Sequence, residues 1–158
     1  MSTINYQLST KKASVHTLGC RLNQSESAIL EEKLREDGYT LVPFGEPADL
    51  AIVNTCTVTA RTDYQSRQLI RRAHRLNPKA AIVVTGCYAQ VFPDAAASLP
   101  GVALVAGNPE KEDISSLIEK TALGGRRILV SDIHDLASCT GPFAGRFHGH
   151  TRAFLKVQ

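Results

Sequence analysis

Short apolar runs alternate along the chain with longer segments in which apolar residues recur at helical spacing. The apolar runs predict six strands, at residues 13–18, 39–44, 49–54, 80–85, 102–106 and 126–131. The helical spacing predicts intervening helices over residues 23–37, 62–76, 88–98 and 108–122. Asn23 or Ser25 is expected to cap the first of them. The strand at 49–54 is apolar on both faces, which is typical of a parallel strand covered by helices.

Strands that alternate with helices indicate an α/β fold. We predict a doubly wound, mainly parallel sheet of the Rossmann-like type, with helices on both faces and right-handed crossovers. Residues 1–12 are expected to be a flexible N-terminus, and residues 13–131 to form the α/β domain. Residues 132–158 are expected to form an irregular linker and then a terminal strand at 151–157. Because the chain stops on that strand, we expect a further domain to follow it.

Composition narrows the class of protein. The 158 residues are 43% hydrophobic and 21% charged, which is enough for one globular domain with a substantial core. The net charge of +3 permits a nucleic-acid partner without requiring one. No apolar run reaches the roughly 18 residues of a membrane span, and the N-terminus lacks the apolar stretch of a signal peptide. We therefore expect a cytoplasmic protein with no membrane partner.

The cysteines form no local metal or redox motif. The sequence contains no CxxC, no CxxxCxxC and no zinc-finger spacing among its four cysteines, Cys20, Cys56, Cys87 and Cys139. In a reducing compartment, widely spaced cysteines indicate metal binding, catalysis or burial rather than disulfides. Any site that they share must therefore be assembled by the fold.

The first three cysteines occupy the same structural position. Cys20, Cys56 and Cys87 each follow a predicted strand and precede a predicted helix. Ligands of doubly wound sheets bind beyond the carboxyl ends of the strands, so we expect the three thiols to meet at one edge. The N-termini of the following helices would favour thiolate over thiol. Three thiolates without a fourth suit an iron–sulfur cluster with one open iron, because such clusters are held by cysteine thiolates.

Residues beside these cysteines suit a supporting role. Gly19 and Gly86 each precede a cysteine and would let the backbone come close to a ligand. Asn54 and Thr55 precede Cys56 and offer hydrogen bonds to sulfur. We expect these four neighbours to support the cluster.

Two other interpretations of the cysteines remain open. Free cysteine behaves as a small hydrophobe and is often buried, so the thiols could be structural in a nucleotide- or anion-binding Rossmann-like module. No G-x-G-x-x-G follows the first strand, which disfavours a dinucleotide ligand. A structural zinc would need a further ligand such as histidine, but His16 on the first strand is expected to be a packed residue. Cys139, in the linker, is expected to be an incidental thiol.

A basic stripe lies on the second predicted helix. Arg67, Arg71 and Arg75, which form this basic stripe, are spaced four residues apart and therefore share one helix face. Contact with RNA phosphates is one interpretation, and a solvated helix surface is the other. We treat the three arginines as candidate RNA-contacting residues.

Five motifs resemble the N-terminal domain of radical SAM methylthiotransferases. Three contain the cysteines: Thr17-Leu-Gly-Cys20-Arg-Leu-Asn-Gln, Ala48-Asp-Leu-Ala-Ile-Val-Asn-Thr-Cys56-Thr-Val-Thr and Val83-Val-Thr-Gly-Cys87-Tyr-Ala-Gln. The others are Ser66-Arg-Gln-Leu-Ile-Arg-Arg-Ala73 and His150-Thr-Arg-Ala-Phe-Leu-Lys-Val157. The residues after the second and third cysteines are most similar to the branch that acts on threonylcarbamoyladenosine in tRNA. The branches that act on isopentenyladenosine in tRNA or on an aspartate of a ribosomal protein remain alternatives.

The resemblance implies a function for the cysteines. In the family, three cysteines of this domain hold an auxiliary [4Fe–4S] cluster whose open iron carries the sulfur or methylsulfide to be inserted, and Cys20, Cys56 and Cys87 match these ligands. A neighbouring domain binds a second [4Fe–4S] cluster through CxxxCxxC. There S-adenosylmethionine is cleaved to a radical that abstracts the hydrogen at carbon 2 of the adenine next to the anticodon. A second S-adenosylmethionine supplies the methyl group.

The resemblance also implies partners, which are the tRNA anticodon stem-loop and the radical SAM and RNA-binding domains of the same polypeptide. The sequence departs from the family because it contains no CxxxCxxC and ends where the radical SAM domain would begin. We therefore expect this chain alone to bind the auxiliary cluster and to be catalytically inactive.

Overall fold

A parallel sheet organises the molecule. The computed structural model describes residues 11–122 and 127–132. The strands in these ranges are β1 (Lys12–Thr17), β2 (Thr40–Leu41), β3 (Leu50–Thr55), β4 (Ala81–Gly86), β5 (Val102–Ala106) and β6 (Arg127–Leu129). All of their pairings are parallel, and the strands lie in the order β2–β1–β3–β4–β5–β6. The direction of winding reverses between β1 and β3, so the switch point of the sheet lies there.

Helices cover both faces of this sheet. The helical segments are α1 (Arg21–Glu36), α2 (Ala60–Leu76), α3 (Cys87–Val91), α4 (Pro93–Ala97), a 3₁₀ helix (Pro109–Asp113) and α5 (Ile114–Ala122). Helices α1 and α5 pack on one face, and α2, α3 and α4 pack on the other. The predicted doubly wound α/β fold with helices on both faces is confirmed.

The central strand β3 supplies side chains to both cores. Leu50 and Ile52 pack with α1 and α5, whereas Ala51 and Val53 pack with α2, α3 and α4. Successive side chains of a strand point to opposite faces, so one buried strand serves two cores. Every residue of β3 is buried, which confirms its predicted apolar pattern.

Two helices begin at other residues than the sequence predicts. Asn23 and Ser25, the predicted caps, lie inside α1, whose N-cap is Cys20. Helix α2 begins at Ala60 because Thr59 and Thr62 form a capping box, in which the Thr59 hydroxyl accepts from the Thr62 N–H at 3.2 Å.

Prolines account for two further differences. Residues 88–98 are predicted as one helix but form α3 and α4, because Pro93 has no N–H to continue the first and begins the second. The predicted strand at 39–44 is reduced to β2, and Pro43 follows it closely. Residues 108–122 begin with the 3₁₀ helix before α5 continues.

Some predictions concern other parts of the chain. The predicted flexible N-terminus covers residues 1–12, of which Lys12 is the first residue of β1 and residues 1–10 lie outside the described residues. The linker beyond residue 132, Cys139 and the strand at 151–157 also lie outside the described residues and stay predictions. Within 11–122 and 127–132, none of the helices combines the length and the apolar composition that crossing a membrane requires.

Candidate metal centre

The three strands that precede the cysteines end within one residue of the same level. Thr17 of β1 pairs with Asn54 of β3, and Asn54 pairs with Thr85 of β4. Within three residues of this level, the chain reaches the candidate ligands Cys20, Cys56 and Cys87. The parallel sheet therefore brings all three cysteines to its carboxyl edge, and the first two flank the switch point.

The cysteines differ in their relation to the following helices. Cys20 is the N-cap of α1, and Cys87 is the first residue of the five-residue α3. Cys56 is separated from α2 by residues 57–59, because the capping box places the start of that helix later. Among the three, only Cys20 adjoins the exposed N–H groups of a long helix, which favour negative charge.

Two buried asparagines join the loops before the first and second cysteines. The side-chain N–H₂ of Asn23 donates to the carbonyl oxygens of Leu18 and Thr55, at 2.9 Å each. The side-chain N–H₂ of Asn54 donates to the carbonyl oxygen of Asn23 at 3.0 Å, and the Leu18 N–H donates to the carbonyl oxygen of Asn54 at 2.8 Å. These bonds fix one cysteine loop against the other.

The predicted supporting residues Asn54 and Thr55 bond to protein groups. Besides its bond to Asn23, the Asn54 N–H₂ donates to the Ser27 hydroxyl, and the Thr55 hydroxyl donates to the carbonyl oxygen of Thr85. In the described part of the chain, Asn54 Oδ1 and Thr85 Oγ1 are buried without a hydrogen-bond partner. The two strand ends therefore hold their positions through protein contacts and retain two buried oxygen atoms.

Gly19 and Gly86 are required by the packing of these loops. Both have a positive φ, 116° and 96° respectively. A Cβ on Gly19 would lie 2.6 Å from the Cβ of Cys56, and one on Gly86 would lie 2.3 Å from the carbonyl oxygen of Thr55. The absence of a side chain thus lets neighbouring strand ends approach each other. This packing explains the glycines more directly than the predicted close approach of the backbone to a ligand.

The three thiols differ in exposure, and the first two raise the pKa of the third. All are free: Cys56 is only 3% exposed, Cys87 is half-buried and Cys20 is exposed. Burial is the main cause of a raised pKa at Cys87, and the neighbouring thiols of Cys56 and Cys20 raise that pKa further. The charge of Lys111 and a hydrogen bond with the Asn108 side chain lower it. Three thiolates at this edge would repel each other, so the arrangement favours a bound cation.

The arrangement does not match a site for one metal ion. In residues 11–122 and 127–132, no group of three or more His, Cys, Asp or Glu side chains is placed to hold a single ion. His16 packs against Phe44, with ring centroids 4.6 Å apart, which confirms that it is a packed residue. Three thiols carried by three separate loops could each bind a different iron, as the thiolates of an iron–sulfur cluster do.

The sequence that builds this edge matches a known family. The family described as "Uncharacterized protein family UPF0004" matches residues 12–107, which include the three cysteines and the basic stripe. The chain belongs to this family. Its relatives include proteins with an assigned reaction, and the resemblance drawn from the cysteine motifs is thereby confirmed.

Three of these relatives carry the same name, Threonylcarbamoyladenosine tRNA methylthiotransferase MtaB. The protein of Aquifex aeolicus is 40% identical, over 93% of this chain and 36% of that protein. The protein of Bacillus subtilis is 39% identical, over 90% of this chain and 32% of that protein. The protein of Thermotoga maritima is 34% identical, over 94% of this chain and 33% of that protein. The chain thus spans about a third of the length of these relatives.

The basic stripe lies along α2, away from the buried side of that helix. Arg67 and Arg71 are half-buried and Arg75 is exposed. In the part of the chain that the structure describes, none of the three forms an ion pair. Arg72 lies on a different side of the helix, 5.7 Å from the centroid of the Phe44 ring. The stripe therefore presents three positive charges that no described carboxylate neutralises.

Sequence patterns miss several polar residues of this edge. Asn23 looks like a helix cap, although its amide joins two loops. Lys111 is only 6% exposed and pairs with Glu26, although it lies in the charged run Glu-Lys-Glu-Asp, a pattern typical of solvated surface. Asn108 and Lys111 follow β5, and the fold brings them close to Cys87. Because they lie far from Cys87 in the sequence, no local sequence pattern indicates this proximity.

Proposed function

We propose that this chain is the cluster-binding domain of a tRNA-modifying methylthiotransferase. Cys20, Cys56 and Cys87 would hold an auxiliary [4Fe–4S] cluster through their thiolates. The observation that carries this proposal is that β1, β3 and β4 end within one residue of a common level, because this brings three thiols to the carboxyl edge of the sheet, beside the switch point. The names of the relatives support the same function.

The chain's own residues would prepare the thiols for binding. Asn23 and Gly19 hold the loops of Cys20 and Cys56 together before any ligand is present. Lys111 and Asn108 oppose the effect of burial on the Cys87 thiol and so favour its thiolate. When bound, the cluster would supply an open iron that carries the sulfur to be inserted.

The proposed substrate is threonylcarbamoyladenosine next to the anticodon of tRNA, which would gain a methylthio group at carbon 2. The relatives are named for this nucleoside, and the basic stripe would contact tRNA phosphates. Such a substrate would place the protein in the cytoplasm.

The radical step would belong to another domain. It requires a second [4Fe–4S] cluster and S-adenosylmethionine, and the 158-residue sequence contains no CxxxCxxC to hold that cluster. We propose that residues 13–131 form the methylthiotransferase N-terminal domain and that residues 132–158 lead into the radical SAM domain. The chain alone would then bind the cluster without catalysing the reaction.

Anaerobic reconstitution with iron and sulfide tests the cluster. We expect about four irons and four sulfides per chain, with the broad visible absorbance of a [4Fe–4S] cluster. The single variants Cys20→Ser, Cys56→Ser and Cys87→Ser should each lose most of this iron. Cys139→Ser is the matched control, because it removes a thiol of the same sequence that is not proposed as a ligand.

Four results would contradict the proposal. Fewer than three irons per chain, or a cluster that survives Cys56→Ser, would exclude the three-cysteine cluster. Zinc that binds in a ratio of about one per chain and resists iron would favour a structural metal site. Iron loss in Cys139→Ser equal to that in the other variants would show that the ligand set is different.

A further inference from the structure

A buried ion pair lies beside the cysteine edge. Lys111 of the 3₁₀ helix pairs through its ammonium with the carboxylate of Glu26 on α1. Their side chains are only 7% and 18% exposed, so little water screens the two charges. Lysine is almost never buried to this extent unless it is paired.

Both elements that carry the pair begin at the carboxyl edge of the sheet. Helix α1 begins directly after Cys20, and Glu26 lies in its second turn. The 3₁₀ helix follows β5, which is the neighbour of the strand that leads to Cys87. Asn108 lies just before this helix, and its backbone N–H donates to the side-chain oxygen of Gln90, three residues after Cys87, at 2.9 Å. The positive charge of Lys111 lowers the pKa of the Cys87 thiol. The pair therefore belongs electrostatically to the cysteine edge.

A contact that served only to join α1 to the 3₁₀ helix would not require charged residues. Ile114 packs in the same apolar core as Leu30 and Leu34 of α1, so apolar contacts already join the two elements. Burying two charges costs solvation that their attraction only partly repays, and an apolar pair of similar volume would stabilise the contact at least as well. A buried cation at this position has a clearer use if it faces a negatively charged ligand.

We propose that Lys111 is a positioning residue that compensates the negative charge of an iron–sulfur cluster at this edge, and that Glu26 holds and moderates it. This inference rests on the function proposed above. A [4Fe–4S] core held by three thiolates carries net negative charge, and one-electron reduction increases that charge. A nearby cation favours the reduced form and a nearby carboxylate opposes it, so the pair sets the reduction potential.

Four variants of the full chain, reconstituted anaerobically, test this balance. The midpoint potential is measured by titration with dithionite, which supplies the one electron, and is followed by absorbance and electron paramagnetic resonance. Lys111→Met should shift the one-electron equilibrium about tenfold toward the oxidised cluster, so that the midpoint potential falls by about 59 mV. Glu26→Gln should shift it in the opposite direction. Lys111→Arg and the double variant Lys111→Met/Glu26→Gln should stay near the parent protein.

The signs of the shifts separate the alternatives. A structural tie predicts that Lys111→Met and Glu26→Gln change the potential in the same direction, because each breaks the same contact. Equal potentials in all variants would overturn the inference and leave the cluster proposal intact. Failure of the parent chain to assemble a cluster would instead overturn the proposed function, and the inference with it. If Lys111→Met does not fold, the midpoint potentials of Glu26→Gln and of the double variant are compared instead. A higher potential in Glu26→Gln supports the inference, and equal potentials overturn it.

Discussion

The backbone of Gly19 lies directly against the side chain of Cys56. A Cβ at Gly19 would stand 2.6 Å from the Cβ and 2.9 Å from the Sγ of that cysteine. The loop that carries one thiol therefore fixes the position of the next, before any ligand binds. Two cysteines that lie far apart in the sequence are thus coupled by packing at the switch point of the sheet.

This contact predicts the effect of Gly19→Ala. The new methyl group would collide with Cys56, and φ of 116° disfavours any residue with a Cβ. The backbone strain alone should cost about 1–2 kcal/mol of the free energy of unfolding, and the collision should add to it. Urea denaturation measures the loss, and the iron bound after reconstitution should fall as the Cys56 thiol is displaced.

Gly38→Ala is the matched control for that variant. Gly38 also has a positive φ, 86°, but a Cβ there would meet nothing within 4 Å. It should show the strain without the collision, and its iron content should equal that of the parent chain. Equal effects of the two variants on both measurements would contradict the proposed coupling of Gly19 to Cys56.

The buried amide of Asn23 provides a second prediction. Asn23→Ala removes two hydrogen bonds and leaves the carbonyl oxygens of Leu18 and Thr55 without this donor. Leaving buried acceptors unsatisfied should lower the free energy of unfolding by about 1–3 kcal/mol. Because the two cysteine loops also lose their connection, the retention of iron during gel filtration should fall.

Asn77→Ala serves as the control for Asn23→Ala. The Asn77 amide donates to the carbonyl oxygen of Glu46 at 2.9 Å, but this bond is exposed and lies away from the cysteines. We expect a smaller loss of stability and no loss of iron. A fall in iron equal to that of Asn23→Ala would show that general destabilisation, rather than loop connection, controls binding.

The cysteine edge is predictable from sequence because strand topology alone determines it. Apolar runs locate β1, β3 and β4, and a doubly wound sheet places their carboxyl ends at one edge wherever the cysteines lie in the chain. Contacts between side chains are not predictable in this way. Gly19 looks like a residue that admits a ligand, but its packing against Cys56 depends on how two strand ends approach each other.

The contacts of the polar residues that follow β5 are likewise not predictable from the sequence. Lys111 lies in a charged run, and only the fold reveals that it is buried and paired with Glu26. The break at Pro93 can be predicted from the residue type, because proline cannot continue a helix, but its position within two turns of Cys87 makes a single helix equally compatible with the pattern.

The packing of His16 predicts a pH dependence of stability. Burial, and then the charge of Arg72, lower the pKa of His16 from its usual 6.5. The unfolded chain therefore binds a proton more readily than the folded chain, so the stabilisation is fully present above pH 6.5 and is lost as the pH falls below that value. Urea denaturation between about pH 7.5 and 5.5 should show this decline in the parent chain.

Two variants isolate the contribution of His16. The free energy of unfolding of His16→Gln should fall less over the same pH range, because this variant has no imidazole to protonate. The free energy of unfolding of Arg72→Gln should also fall less than that of the parent chain, since this variant removes the second cause of the lowered pKa of His16. An identical decline in the parent chain and His16→Gln would assign the pH dependence to other groups.

The basic stripe predicts how the chain binds tRNA. Arg67, Arg71 and Arg75 share one side of α2 and form no ion pair with any described carboxylate. Each Arg→Ala change should weaken binding to an anticodon stem-loop RNA and reduce the slope of log K against log salt by about one. Arg72→Ala removes the same charge from the same helix, but its guanidinium lies over the Phe44 ring, so the slope should stay unchanged. An equal reduction in Arg72→Ala would reveal a response to net charge, and unchanged binding by all four variants at low salt would exclude α2 as the RNA-contacting surface.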